Sequence, residues 1–289
     1  MMETTMIPGS PHNSRGSLLS RALMRVAALA PQPKRMMWKW VYESLSRRGG
    51  LGDFMNFGYT PLDGETLELE LRGDDRPRRH VIQLYHRTVA AAELAGKDVL
   101  EVGCGRGGGA DYMARYLQPR SVTGVDIARG NVAFCRQVHD VPGLTFREGD
   151  AEQLPLPDAR YDVVVNVESS HCYGSFERFV GEVCRVLRPG GAFMFSDMRG
   201  SDSHHASIEE VAETFRNCPL EVVEYTDITA NVLASLEQEH ERIEKFLHDE
   251  VPRLLRSSTR DLVGGQGGRW NDALRRGEAK YVHYFLRKP

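Results

Sequence analysis

The 289-residue chain lacks any run of the roughly 18 uninterrupted apolar residues that a membrane-spanning helix needs, so no membrane span is expected. It also lacks an excess of either charge. Thirty-seven basic side chains stand against forty acidic ones, a formal charge of -3, which argues against a protein held to nucleic acid mainly through phosphates. Only five cysteines occur, Cys104, Cys135, Cys172, Cys184 and Cys218, with no CxxC pair, so neither zinc-knuckle spacing nor a disulfide framework is indicated. Their odd number favours a reducing compartment and hence a cytoplasmic location. Internal repeats and low-complexity tracts are absent as well. What is present is ordinary for a folded protein: 41% hydrophobic and 27% charged residues exclude a disordered or collagen-like chain.

The first forty residues stand apart, with Glu3 the only acid against Arg15, Arg21, Arg25, Lys34, Arg35 and Lys39. Arg21 and Arg25 interrupt the apolar stretch that a secretory signal would require; a transit peptide is compatible with the composition. Leu18, Leu19, Ala22, Val26 and Leu29 fall at helical spacing, which suits a tail leading into a helix packed on the core or lying on a membrane surface. Residues 1–60 are read as this tail and its helices, 61–228 as the core, 229–278 as a helical insert and 279–289 as a returning strand.

From residue 97 onward short strand-like runs alternate with helix-length stretches. The strands expected are 97–102, 121–126, 144–148, 161–167, 191–197, 220–227 and 280–287, with helices beginning near Gly108, Ala128 and Phe176. Such alternation predicts right-handed crossovers and a doubly wound, mostly parallel α/β sheet, which binds ligands beyond the carboxyl ends of its strands. Between Thr229 and Leu255, Leu233, Leu236, Ile243 and Leu247 form an apolar stripe that predicts a helical cap packed on the core, over a substrate, or both.

The residues after the strands carry the functional signal. Gly103, Gly105 and Gly108 follow the first strand in a GxGxxG turn, where missing side chains let a ligand approach the backbone. Asp126 ends the second strand, where a carboxylate can accept from a ribose diol. A nicotinamide dinucleotide and S-adenosyl-L-methionine would both use these groups. Glu101 favours the second, because a carboxylate opposes pyrophosphate but suits a cationic ammonium and sulfonium. Asp150, after the third strand, can accept from an adenine amino group; each aspartate taken singly would equally serve as a turn or helix cap.

Val99-Leu-Glu-Val-Gly-Cys-Gly-Arg-Gly107, Gly124-Val-Asp126, Gly149-Asp-Ala-Glu-Gln-Leu-Pro155 and Glu182-Val-Cys-Arg-Val-Leu-Arg-Pro-Gly-Gly191 resemble the successive motifs of class I S-adenosylmethionine-dependent methyltransferases. More narrowly, Leu84-Tyr-His-Arg87, Gly107-Gly-Gly-Ala110 and Val165-Asn-Val-Glu-Ser-Ser-His-Cys-Tyr173 resemble the phthiotriol dimycocerosate methyltransferases and related fatty-acid and polyketide O-methyltransferases, from about residue 36 to the end. The resemblance implies a Rossmann-like seven-stranded sheet with an antiparallel last strand, N-terminal helices and a helical cap over a hydrophobic small-molecule acceptor. It also implies S-adenosyl-L-methionine as cofactor and S-adenosyl-L-homocysteine as product. Carried over by position, Gln83, Arg87, Glu101, Gly103, Cys104, Gly105, Asp126, Ile127, Asp150, Ala151 and Asn166 would line the cofactor, with Arg87 pairing with its carboxylate or forming a surface ion pair.

Methyl transfer to a neutral hydroxyl also needs a base. His171, just after the fourth strand, is the leading candidate, and Asp197, at the end of the fifth, would orient its ring; related sugar and polyketide O-methyltransferases carry His and Asp at these positions. Glu168, Cys172 and Tyr173 are expected in the substrate pocket. Asp202, His204 and His205 superficially suggest a metal site, but adjacent histidines diverge in a loop, and no metal is expected. A carboxyl oxygen, carbon or nitrogen acceptor, a non-methylating binding protein or a pericyclase on the same scaffold, and a nicotinamide oxidoreductase stand as alternatives. No nucleic acid partner is expected; a homo-oligomer is compatible with the sequence.

Overall fold

A computed structural model describes residues 52–200 and 206–289. Seven strands form one sheet: β1 (Asp98–Val102), β2 (Ser121–Asp126), β3 (Leu144–Glu148), β4 (Tyr161–Val167), β5 (Leu187–Gly200), β6 (Glu221–Asp227) and β7 (Ala279–Arg287). Their order is β3-β2-β1-β4-β5-β7-β6, with β7 antiparallel to both neighbours and β1 to β5 mutually parallel. All seven expected strands form, and the expected mostly parallel doubly wound sheet with it.

Continuous apolar runs in the central strands reflect burial on both faces. On one face Val99, Val163, Val165 and Met194 pack under α1 (Arg79–Val89), α2 (Gly108–Tyr116) and α3 (Arg129–Val138), through Ile82, Met113 and Val132. On the other, Leu100, Val164, Phe193 and Phe195 pack under α4 (Phe176–Val186) and α5 (Ile208–Asn217), through Phe179, Val183 and Phe215. β5 runs longer than the 191–197 expected because β7 pairs with it continuously, from Ala192 opposite Arg287 to Gly200 opposite Ala279. Strand order reverses between β1 and β4, and the crevice beyond their carboxyl ends is where this topology places a ligand.

The insert forms not one long pattern but α6 (Thr229–Gln238), α7 (His240–Asp249), α8 (Arg256–Leu262) and α9 (Arg269–Arg275). Leu236 and Leu247 of its stripe are buried in the core, as expected for packing, and Leu236 and Ile243 also wall a cavity. Among the described residues no helix is long and apolar enough to cross a membrane. The helix expected around Leu18 to Leu29 and the Asp202, His204 and His205 segment lie outside the described residues.

Candidate active site

The glycine turn after β1 folds against β2. Gly103 and Cys104 donate their backbone N–H groups to Val125 O, and Gly105 N–H donates to Asp126 Oδ2 at 2.9 Å. Gly103 has φ +74°, and a Cβ there would lie 2.6 Å from the Tyr173 hydroxyl, so no larger residue fits without displacing the wall of the cleft above it. That cleft, about 860 Å³, is lined by Gly103, Cys104, Gly105, Asp126, Ile127, Asp150, Ala151, Cys172 and Tyr173 among the expected residues.

Asp126 also accepts from Ala128 N–H at 2.8 Å and from Asn131 Nδ2 at 3.3 Å. Burial pushes its carboxyl up to about 6 despite these donors. Asp150 accepts from Glu152 N–H at 3.0 Å, as a turn-forming aspartate does, and it lines the cleft. Asn166 is fully buried behind the cleft, donating to Val102 O, Ser169 Oγ and the Tyr173 hydroxyl.

Glu101 sits behind Tyr85, which lines the cleft and donates its hydroxyl to Glu101 Oε1 at 2.7 Å. Glu101 Oε2 is buried without a hydrogen-bond partner, and burial pushes this carboxyl up to about 8. Glu101 is thus held behind the wall and does not line the cleft; the cleft itself offers the Asp126 and Asp150 side chains, and the glycine turn leaves room for backbone contact. The cleft therefore fits S-adenosyl-L-methionine. Gln83 is buried on α1. Arg87 is not brought to the cleft: its guanidinium donates to Glu224 Oε1 at 2.8 Å on β6, because α1 turns that face toward the sheet edge. The ion pair, not the cofactor contact, is what forms.

Tyr85 belongs to the Leu84-Tyr-His-Arg87 motif, and Gly109 is fitted to it. A Cβ at Gly109 would lie 2.6 Å from the Tyr85 hydroxyl and closer still to its ring carbons. Gly109→Ala adds helix propensity worth about 1 kcal/mol, but overpacking of this order costs about 1–3 kcal/mol, so net destabilisation is expected. A lowered thermal midpoint together with weaker cofactor binding would be its signature; an unchanged midpoint would contradict it.

Beyond β4 the chain enters a 3-10 turn, Ser170–Cys172, that puts His171 beside the end of β5. His171 Nδ1 lies 2.8 Å from Asp197 Oδ1, and its backbone N–H donates to Asp197 Oδ2 at 3.0 Å. A carboxylate only accepts, so Nδ1 carries the proton toward it and proton uptake falls to Nε2. Burial opposes charge on the imidazole, but Cys172 and Asp197 outweigh it and raise His171 to about 10. Asp197 is itself buried, yet Arg199 and His171 hold its carboxyl well below the usual range. Arg199, which the sequence reading missed, is fully buried, pairs with Asp197 at 3.0 Å and donates to Ser170 Oγ. A basic residue two positions beyond Asp197, on the same face of a continuing strand, was the available signal.

A second cavity, about 1360 Å³, opens on His171 and is walled by Phe54, Phe57, Leu236, Ile243, Phe246 and Trp270. Glu168 lines both cavities; Cys172 and Tyr173 line the first. The Tyr173 ring packs edge-on against Phe179, with centroids 4.9 Å apart. The segment 52–57, Tyr85, Asn131 and Trp270 complete the site and were not anticipated individually. Among the described residues no cluster of three or more His, Cys, Asp or Glu is arranged to hold a metal.

Comparison with known proteins follows the same lines. Residues 100–195 match the model of a methyltransferase domain. The phthiotriol/phenolphthiotriol dimycocerosates methyltransferase of Mycobacterium tuberculosis is 39% identical over 258 residues, covering 88% of this chain and 93% of that protein. The fatty-acid O-methyltransferase of Mycolicibacterium smegmatis is 38% identical over 277 residues, covering 95% and 98%. Among solved structures, the cyclase SpnF aligns with a TM-score of 0.67 at 21% identity, covering 90% of this chain and 96% of that one. The geranyl diphosphate C-methyltransferase of Streptomyces coelicolor, solved with S-adenosyl-L-homocysteine, aligns with a TM-score of 0.62 at 16% identity, covering 86% and 98%. These two share the fold.

Proposed function

The chain belongs to the S-adenosyl-L-methionine-dependent methyltransferases, and on that premise we propose that it methylates a hydroxyl oxygen of a hydrophobic small molecule of lipid or polyketide type. The observation that carries this reading is a buried His171–Asp197 pair opening on an apolar cavity that meets the donor cleft. When bound, the donor supplies an electrophilic methyl group on a positively charged sulfur. Gly103, Gly105 and Asp126 hold its nucleoside; the apolar walls hold the acceptor and exclude water. Alignment across the junction supplies most of the rate enhancement, roughly 7–11 kcal/mol for well-oriented reactants. Nε2 of His171 takes the hydroxyl proton as the oxygen–carbon bond forms and the carbon–sulfur bond breaks, its electron pair staying on sulfur, and Asp197 stabilises the resulting imidazolium.

Because His171 is raised to about 10, most of the imidazole is protonated at neutral pH. For a hydroxyl acceptor, kcat/KM should therefore climb about tenfold per pH unit and level off near that value. A carboxyl acceptor is already ionised there and needs no base, so its profile should be flat. The fatty-acid O-methyltransferase relative gives that second reading its support. Matched long-chain alcohols and acids, assayed with the donor by mass spectrometry, separate the two. A methyl ether with the rising profile supports the proposal; only a methyl ester would replace it. Donor binding without S-adenosyl-L-homocysteine formation from any acceptor would favour a non-methylating protein.

A further inference from the structure

Of the described residues lining the two cavities, Met55 and Glu168 alone line both. In-line transfer requires sulfur, methyl and acceptor atom to lie across that junction. Met55 brings a neutral thioether, so Glu168 is the one ionisable side chain at the crossing. Its setting is built rather than incidental. Glu168 takes φ +47°, a conformation uncommon for a residue with a Cβ, at the turn out of β4. Phe57 N–H and the Tyr281 hydroxyl both donate to its Oε2 at 2.9 Å, and neither engages Oε1.

We propose that Glu168 is a positioning residue whose carboxylate faces the sulfonium and makes the site prefer the methylated donor to its demethylated product. The inference rests on the reading of the first cavity as the donor site. The two ligands share adenosine, ammonium and carboxylate; they differ in the charge on sulfur. A carboxylate beside that sulfur attracts the sulfonium and gains nothing comparable from a thioether. Asp126 faces a part common to both ligands, so its effect cancels when the two affinities are compared.

Protonation gives the proposal its signature. Burial pushes Glu168 up to about 8, although Phe57 N–H, His171 and Tyr281 favour its ionised form; Asp197 opposes ionisation. Tyr85, from α1, also faces it and stays protonated throughout this range. The unliganded carboxyl is therefore largely neutral at pH 7, and a sulfonium beside it draws it into the charged form and expels a proton. Below the ordinary carboxyl range and above about 8 the preference should not change with pH; between them it should strengthen as pH rises.

Calorimetric titration of the full chain with S-adenosyl-L-methionine and S-adenosyl-L-homocysteine, in buffers of different ionisation heat, tests this without an acceptor. The affinity ratio favouring the donor should rise about tenfold or more between roughly pH 6.5 and 9. At pH 7 donor binding should release close to one proton more than product binding. Glu168→Gln should bind the product normally, lose the pH trend and lose the extra proton, whereas His171→Asn should keep both. A ratio independent of pH in the unaltered protein, or the same trend in Glu168→Gln, would overturn the proposal. If Glu168→Gln binds neither ligand, the unaltered protein's titrations decide alone. Because no turnover is involved, this result and the hydroxyl-transfer assay can fail separately.

Discussion

Replacing His171 by alanine is expected to lower kcat/KM for a hydroxyl acceptor by about 10²–10⁴-fold, the usual contribution of a positioned base. Donor affinity should stay within a few-fold, because the ring lines the acceptor cavity and not the donor cleft. The pH profile is the sharper readout. Unaltered protein should gain activity up to about pH 10, following the raised imidazole, and the alanine variant should lose that dependence. A truncation that merely enlarged the acceptor cavity would raise KM and leave the profile's shape intact. Activity within a few-fold of the unaltered protein with an alcohol acceptor would remove His171 from the mechanism.

Much of this site was legible because it depends on strand ends, and strand ends follow from pattern. β1 and β4 are buried on both faces, so their apolar runs stand out, and Gly103 and His171 are reached by reading the residues that follow them; Asp126 closes β2 and Asp150 follows β3, in which only Phe146 is buried. The pairing of His171 with Asp197 follows from topology alone, since neighbouring parallel strands bring their carboxyl ends together. Side chains whose surroundings come from distant segments were not legible. Arg87 lies two residues beyond the motif tyrosine Tyr85, yet its partner Glu224 is 137 residues away on an edge strand. Glu101 was assigned to the cofactor from charge, but Tyr85 covers it, a relation set by how α1 packs over α2 through Gly109. Glu168 gave no periodic signal, because its role follows from a turn geometry and from Phe57 and Tyr281, each more than a hundred residues away.

Arg199 turns Asp197 from an orienting residue into a structural one, and Asp197→Ala is expected to cost about 3–5 kcal/mol of stability, the range for removing one partner of a buried ion pair. Arg199 is fully buried against Phe176 and Phe195. The loss should be largely recovered in Asp197→Ala/Arg199→Met, which removes both charges, while activity toward a hydroxyl acceptor stays low because His171 has lost its partner. Denaturant unfolding of the single and double variants checks this; equal stabilities would refute the dependence on Arg199. The pH dependence supplies a second check. His171 is raised from 6.5 to about 10 in the folded chain, so the stability it contributes is complete below about pH 6.5 and lost as pH rises through about 10. Asp197→Ala should shrink that decline and shift it to lower pH, leaving only the part that Cys172 supplies. Asp197→Asn keeps an acceptor for the imidazole without the charge, so its activity profile should level off at a lower pH than that of the unaltered protein.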